Sequence, residues 1–245
     1  MRKNQRPLEE RLAKAVRHYW TTRLAQNKKQ GRSTGRKDQG ARAAVTGGAQ
    51  LNGFVKLMGE LLLESGIPDA TIHTNETVLP GYFRPTKEWD LVVIVDGNLF
   101  ATIEFKSQAG PSYGNNFNNR VEEALGSATD LWTAYREGIF KPSQRPWLGY
   151  FILLEKESRS TSAVSVQEPY FKVFEEFRNA SYAMRYQLFC ERLIRERLYD
   201  ATCFILSDRQ GGLQGKYSEP AAELSFRNFS ISLTARATAF ANQRE

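Results

Sequence analysis

Residues 89 to 106 read WDLVVIVDGNLFATIEFK and predict a β-hairpin. Two runs rich in β-branched and aromatic residues, Leu91–Val95 and Leu99–Lys106, flank the turn signal Asp96-Gly97-Asn98. If these three residues form the loop, Val95 pairs with Leu99, and counting outward sets Asp90 opposite Glu104. A two-residue loop would shift this register by one residue and separate the two acids.

This hairpin places charged side chains on one face. Directly opposed side chains have Cβ atoms roughly 4.5–5.5 Å apart, and residues two apart share a face, so Lys106 lies beside Glu104. Two carboxylates at that separation destabilise a fold unless a positive charge compensates them. Mg²⁺ meets that need, with Asp90, Glu104 and the backbone carbonyl of Phe105 as candidate ligands. Lys106 would then assist the attack of water on a phosphate. The alternative is an ordinary ion pair between Glu104 and Lys106.

The pattern around the hairpin alternates between helix and strand. Apolar residues at helical spacing predict helices over residues 7–24, 51–64, 118–137 and 170–199. Continuous apolar runs predict buried strands at Trp147–Leu154 and Thr202–Leu206. The last segment, through Phe226 and Leu233, fits either a strand or a helix. We therefore expect an α/β fold with a mixed central β-sheet flanked by helices.

Positive charge is concentrated near the amino terminus. Residues 1–42 carry 13 Lys and Arg against three Asp and Glu, whereas the other 203 residues carry 21 against 24. Residues 27–42 are rich in Gly, Ser and Arg, which favours a flexible cationic arm that follows phosphates; a merely solvated tail is the alternative. The candidate phosphate contacts in this arm are Lys28, Lys29, Arg32, Arg36 and Lys37.

Several classes of protein are excluded by composition. No apolar run approaches the roughly 18 residues of a membrane span, and no apolar stretch follows the first basic residues, so we expect a cytoplasmic protein. Cys190 and Cys203 lack metal-ligand spacing and are expected to be buried thiols. His18 and His73 are too far apart to pair as ligands. No phosphate-binding P-loop motif is present.

The hairpin also gives the chain a resemblance to a known family. Asp90, a hairpin and then Glu104-Phe105-Lys106 resemble the signature of the PD-(D/E)xK nuclease superfamily, with Trp89 rather than Pro before the first acid. The stretch SQAGPSYGNNFNNRVEEA at residues 107–124 resembles the segment that follows the catalytic lysine in several type II restriction endonucleases. Taken as a whole, the chain is similar to XhoI-type restriction endonucleases.

This resemblance implies a restriction-endonuclease-like core over residues 45–245, preceded by a basic helix and arm over residues 1–44. It implies Mg²⁺-dependent hydrolysis of double-stranded DNA within CTCGAG, leaving 5′-phosphates, with Asp90 and Glu104 as metal ligands and Lys106 as a catalytic residue. Glu60, on the second predicted helix, is a further candidate ligand, or simply a solvated residue. A cognate methyltransferase is also implied. The alternatives are a structure-specific repair or junction nuclease and a non-catalytic DNA-binding protein.

Target recognition requires side chains that reach base edges. Residues 110–120 are rich in Asn and end at a predicted helix start, and two polar loops, 155–168 and 207–219, follow predicted strands. Ordinary surface loops have the same composition. A palindromic target is matched by a two-fold symmetric homodimer. Aromatic residues at 170–177 are expected to pack in the core, with a dimer face as the alternative. The candidate DNA contacts from the first and last of these segments are Asn115, Asn116, Asn119, Arg120, Arg209, Gln210 and Lys216.

Overall fold

A computed structural model describes residues 7–34 and 48–242. For residues 29–34 it describes the backbone alone. Its centre is a five-stranded mixed sheet. The helices are α1 (Leu8–Thr34), α2 (Asn52–Glu64), α3 (Tyr113–Arg136), α4 (Ser158–Thr161), α5 (Tyr182–Arg195), α6 (Arg209–Gly212) and α7 (Phe226–Asn242). The strands are β1 (Ile72–His73), β2 (Val78–Pro80), β3 (Thr86–Glu88), β4 (Leu91–Val95), β5 (Asn98–Gln108), β6 (Trp147–Glu155) and β7 (Ala201–Ser207).

The sheet has the strand order β1-β4-β5-β6-β7, and β2 and β3 form a separate hairpin. β4 is antiparallel to β1 and β5, whereas β5, β6 and β7 run parallel. Every residue of β6 and β7 is buried, because both faces of these strands are covered by other parts of the chain. The expected α/β class and the two buried strands are therefore confirmed.

The turn between β4 and β5 differs from the expected one. Val95 pairs with Asn98, so the loop has two residues, Asp96 and Gly97. Both have positive φ, at 50° and 73°, as a type I′ turn requires. The predicted three-residue loop was therefore wrong.

A β-bulge nonetheless restores the expected pairing. Ile94 pairs with Leu99 but Val93 pairs with Ala101, so Phe100 is the extra residue. From Val93 onward the register is the one predicted, and its last pair is Leu91 with Ile103. Continuing by one residue sets Asp90 opposite Glu104.

Two apolar layers enclose the sheet. On one side, α1, α2 and α7 pack against the strands, with Tyr19, Phe54 and Phe229 fully buried. On the other side, α3 and α5 do so, with Tyr186 buried beside Tyr150 of β6. Cys190 and Cys203 are buried free thiols, as expected. α1 belongs to the same apolar core as the sheet, and the domain boundary at residue 44 stays a prediction.

Three helix predictions need correction. α1 extends to Thr34, so the first part of the segment predicted as a flexible arm is helical. α3 begins at Tyr113, five residues before the predicted start, and residues 110–120 are therefore mostly helix rather than loop. The helix predicted over residues 170–199 is confined to α5, which begins where the Ser181 side chain accepts a hydrogen bond from the Met184 amide.

The reason for the third error is exposure. Tyr170, Phe171 and Phe174 point into solvent and not into the core, so their spacing carried no packing information. Their predicted core role is wrong, and a dimer face stays a prediction. The closing segment, left open between strand and helix, is the helix α7. None of the helices in the described ranges has the length and apolarity to span a bilayer.

Candidate active site

The predicted catalytic residues meet where β4 begins and β5 approaches its end. The Phe105 amide donates a hydrogen bond to Oδ2 of Asp90 at 2.7 Å, which fixes this carboxylate against β5. Glu104 and Lys106 lie on one face of β5, and Phe105 packs into the apolar layer on the other face. The structure thus brings Asp90, Glu104 and Lys106 together, as alternation along β5 and pairing across the hairpin predict.

Glu104 is held by two lysines. Lys106 Nζ pairs with Oε1 of Glu104, and Lys87 Nζ donates to Oε2 at 2.7 Å. The Glu104 side chain is 7% exposed and that of Lys87 is 11% exposed, so water screens this cluster weakly. Lys87 is further fixed by the carbonyl of Glu88 at 2.9 Å and by the ring of Trp89, whose centroid lies 4.2 Å from Nζ.

These contacts shift the three ionisation equilibria in different directions. Burial, reinforced by the nearby charge of Glu104, raises the pKa of Asp90. Burial also pushes the pKa of Glu104 upward, but Lys106 and Lys87 outweigh it and the net shift is downward. Burial acts to lower the pKa of Lys106, and the two carboxylates reverse this and raise it. The two lysines thus pair directly with Glu104, whereas burial and the charge of Glu104 keep the pKa of Asp90 raised.

A cleft of about 820 Å³ opens at this cluster. Asp90, Glu104 and Lys106 line it, and Glu60 reaches it from α2 on another wall. Glu60 is paired with Arg11 of α1 at 3.1 Å. Within the ranges 7–34 and 48–242, no three Asp, Glu, His or Cys side chains are grouped closely enough to hold a metal ion. The role of Glu60 as a ligand stays a prediction.

Lys87 is the residue of this cluster that the sequence analysis missed. It lies on β3, whose partner β2 precedes it in the chain, and this short hairpin packs beside the main sheet. The residues Lys-Glu-Trp-Asp at positions 87–90 show no periodicity that would predict a contact between Lys87 and Glu104. Glu76 lies in the exposed bend before this hairpin, with a positive φ of 50°.

The candidate DNA contacts of α3 lie on its first turns. Asn115 and Asn119 are exposed and Asn116 is half-buried. Arg120 is two turns into the helix and not at its start, which corrects the expected position. Its guanidinium pairs with Glu123, its Nε is buried without a hydrogen-bond partner in the described part of the chain, and its charge acts on Lys106. Arg120 therefore lies close enough to Lys106 for the two positive charges to repel.

The remaining candidates lie farther along the chain. Arg209 starts α6 and pairs with the buried carboxylate of Glu155, whereas Gln210 and Lys216 are exposed. Lys28 is exposed on α1. Lys29 and Arg32 belong to the same helix, but their side chains lie outside the described residues, as do Arg36 and Lys37 entirely. The DNA contacts of all these residues stay predictions.

Comparison with known proteins gives a consistent result. A sequence model described as restriction endonuclease XhoI matches residues 29–219. The type II restriction enzyme BstVI of Geobacillus stearothermophilus is 53% identical over 203 residues, which cover 80% of this chain and 91% of the relative.

Two further relatives carry the same description. The type II restriction enzyme XhoI of Xanthomonas vasicola is 44% identical over 162 residues, or 65% of each chain. The type II restriction enzyme AbrI of Azospirillum brasilense is 45% identical over 166 residues, covering 67% of this chain and 74% of the relative. No solved structure matches the chain significantly.

Proposed function

Because the chain belongs to the XhoI family of type II restriction endonucleases, we propose that Asp90, Glu104 and Lys106 form its catalytic centre for DNA cleavage. As a type II restriction enzyme it is a site-specific deoxyribonuclease that acts on double-stranded DNA. The reaction that we assign to this centre is Mg²⁺-dependent hydrolysis within CTCGAG that leaves 5′-phosphates. The observation that carries it is the meeting of Asp90, Glu104 and Lys106 in one cleft.

The donor set suits a divalent cation. Type II restriction endonucleases generally depend on a divalent metal ion. Asp90 and Glu104 offer the carboxylate oxygens that Mg²⁺ prefers, and the carbonyl of Phe105 and the side chain of Glu60 are further candidates. The Phe105 amide donates to Oδ2 of Asp90 and so fixes the orientation of this carboxylate. When bound, such a cation supplies positive charge that stabilises the phosphate during attack by water.

The side chains around this site orient the two carboxylates and supply positive charge. The Phe105 amide aims the Asp90 carboxylate, and Lys87 and Lys106 hold Glu104 from its two oxygens. Lys106, at the edge of the cleft, presents an ammonium group that offsets charge on the scissile phosphate. Arg120 adds a second positive charge on the α3 side.

The test is direct. We expect purified protein to cut a long unmethylated duplex of known sequence into discrete fragments with Mg²⁺ and not with EDTA, and sequencing of the ends identifies the site and the cut position. Asp90→Ala and Lys106→Ala should each abolish cleavage and leave DNA binding largely intact. Lys141→Ala, an exposed lysine beyond the end of α3, is the matched control. Cutting retained by either active-site variant would defeat the assignment.

The proposed activity also implies partners, namely a second copy of the chain, the target DNA and a methyltransferase. A palindromic site is read by a two-fold symmetric homodimer in which each subunit cuts one strand. Contacts to DNA are assigned to Arg120, the Asn residues at 115, 116 and 119, Arg209, Gln210, Lys216 and the basic residues of the amino-terminal segment. We also propose a cytoplasmic location and a cognate methyltransferase, because an unpartnered enzyme of this kind would cut the DNA of its own cell. The repair-nuclease and binding-protein alternatives gain no support from the relatives, which are named restriction enzymes.

A further inference from the structure

The β2–β3 hairpin carries two exposed aromatic rings at its tip. Its five-residue loop reads Gly81-Tyr82-Phe83-Arg84-Pro85. Tyr82 is 54% exposed and Phe83 is 68% exposed, and their rings meet edge to face with centroids 5.3 Å apart. Large aromatic side chains that are held together in solvent are typical of a binding surface.

The loop is held rigidly by a buried carboxylate. Oδ1 of Asp130, on α3, accepts hydrogen bonds from the amides of Tyr82 at 2.6 Å and Phe83 at 2.7 Å. Its Oδ2 accepts from Nε of Arg84 at 2.8 Å, although the Asp130 side chain is only 3% exposed. Gly81 permits this approach, because a Cβ there would lie 2.5 Å from Oδ2 of Asp130.

The burial of Asp130 beneath this loop costs free energy. Burying a carboxylate carries a desolvation penalty, and the three hydrogen bonds that Asp130 accepts here shape a loop whose aromatic side chains do not join the core. The backbone of Tyr82 and Phe83 is thus fixed while their rings stay free. Preorganised aromatic rings lose little conformational entropy when they bind.

The other end of the hairpin is part of the active-site cleft. Thr77, Glu88 and Trp89 line the cleft together with Asp90 and Glu104. Lys87 of the same hairpin binds Glu104. From Lys87 to Phe83 the chain spans four residues, at most about 13 Å at 3.3 Å per residue. That length corresponds to about four base-pair steps of B-DNA.

We propose that Tyr82 and Phe83 form an aromatic wedge that contacts the bases of the target DNA beside the scissile phosphate. This inference rests on the proposed function, since it places DNA in the cleft. DNA bound in the cleft would bring the apolar faces of its bases close to these rings. Apolar side chains of this kind insert between base pairs in other protein–DNA complexes. The Arg84 side chain on the same loop stays 47% exposed although its Nε pairs with Asp130.

The test compares charge and size changes at two exposed positions. Phe83→Ala and Phe83→Glu are made in the full chain, with Ile231→Ala and Ile231→Glu as controls, because Ile231 is 51% exposed on α7, on the other side of the sheet. Binding to a labelled duplex that carries the site is measured by fluorescence anisotropy in EDTA, and cleavage is measured in Mg²⁺. Thermal melting and sedimentation confirm that fold and oligomeric state are retained.

We expect Phe83→Ala to weaken binding about tenfold, the order of the effect of removing one aromatic ring that stacks on a base. Phe83→Glu should weaken it further, because the new charge would face phosphates, and both Ile231 variants should bind within about twofold of the unchanged protein.

Unchanged binding and cleavage by both Phe83 variants would overturn the wedge. A changed oligomeric state with normal DNA binding by the remaining dimer would also overturn it and would assign the rings to a contact between copies of the chain. If the unchanged protein itself neither binds nor cuts the duplex, the proposed function fails instead.

Discussion

At the scale of single residues, the capture of Glu104 by two lysines has consequences for metal binding. Lys87 Nζ lies 2.7 Å from Oε2 of Glu104 and competes by charge with any cation that approaches this oxygen. It also fixes the orientation of the carboxylate.

Lys87→Met should therefore separate two properties. We expect Ca²⁺ to bind several-fold more tightly, because a positive charge is removed, while the single-turnover cleavage rate in Mg²⁺ falls about 10- to 100-fold, the range for losing a residue that orients a metal ligand. Calorimetry and rapid-quench kinetics measure the two effects, with Lys141→Met as the control. A slower enzyme with no change in Ca²⁺ affinity would mean that Lys87 only supports the fold.

Asp130 is a second residue whose charge affects the protein through buried contacts, in this case the stability of the fold. Burial acts to raise its pKa, but the bonds from Arg84, Phe83 and Tyr82 outweigh it and lower the pKa below the ordinary value. The ionised form is therefore favoured by folding. This stabilisation is present above the ordinary carboxyl pKa and is lost as the pH falls through the lowered value.

Asp130→Asn should destabilise the protein at neutral pH. The amide can still accept from the two backbone amides, but its Nδ2 would oppose Nε of Arg84, and losing a charged, buried hydrogen bond amounts to about 1–3 kcal/mol. At this chain length that lowers Tm by about 2–4 °C per kcal/mol. The difference in Tm between Asp130→Asn and the unchanged protein should become smaller as the pH falls. The exposed control Asp69→Asn should show no such pH dependence. A constant gap at all pH values would contradict the charge argument.

At the scale of elements, the bulge at Phe100 reconciles a two-residue turn with the pairing of Asp90 and Glu104. Phe100 and Ala101 both contribute to the same apolar layer, as expected when one residue is extra. Without Phe100, Leu99 would be followed directly by Ala101, and the existing pair of Val93 with Ala101 would be kept.

Deleting Phe100 should therefore preserve the catalytic pairing. We expect the deletion variant to retain Mg²⁺-dependent cleavage while losing about 3–5 kcal/mol of stability, the usual effect of removing a buried phenylalanine. Deleting Val92 from the facing strand is the contrasting change, because it moves Asp90 by one position and turns it to the other face. A folded Phe100 deletion that lacks cleavage, judged by melting and digestion assays at low temperature, would refute the register argument.

At the scale of the whole molecule, the basic amino-terminal segment and the core are not separable. Leu12, Val16 and Tyr19 of α1 are buried in the same layer as the sheet, so removal of residues 1–42 would damage the fold. Point changes are the cleaner probe of the cationic residues.

The double change of Lys28 and Lys29 to Ala should reduce the salt dependence of DNA binding. The slope of log affinity against log salt concentration falls by about 0.9 for each phosphate that is no longer neutralised, or about 1.8 for two phosphates. Titration by anisotropy at several salt concentrations measures this slope. The matched control changes Lys141 and Arg195 to Ala, two basic residues away from this segment, and an equal reduction in both variants would show that the effect is one of net charge alone.

Much of the proposed catalytic centre could be predicted from residues 89–106 because hairpin pairing is local. Strand alternation put Glu104 and Lys106 on one face, and the short connection brought Asp90 to them, even though the assumed loop length was wrong and the bulge was unforeseen. The buried strands β6 and β7 were also evident, since continuous apolar runs have few other stable placements.

What the sequence by itself determined is therefore the family motif, the α/β class and the carboxylate pair, all of which depend on neighbours in the chain. Only the tertiary structure decided that Lys87 binds Glu104 and that Asp130 holds the loop of Tyr82 and Phe83, more than 40 residues earlier in the chain. It also decided that the aromatics at 170–174 face solvent. The physical reason is that periodicity reports which side chains share a face of one element, whereas contacts between elements depend on how separate elements pack.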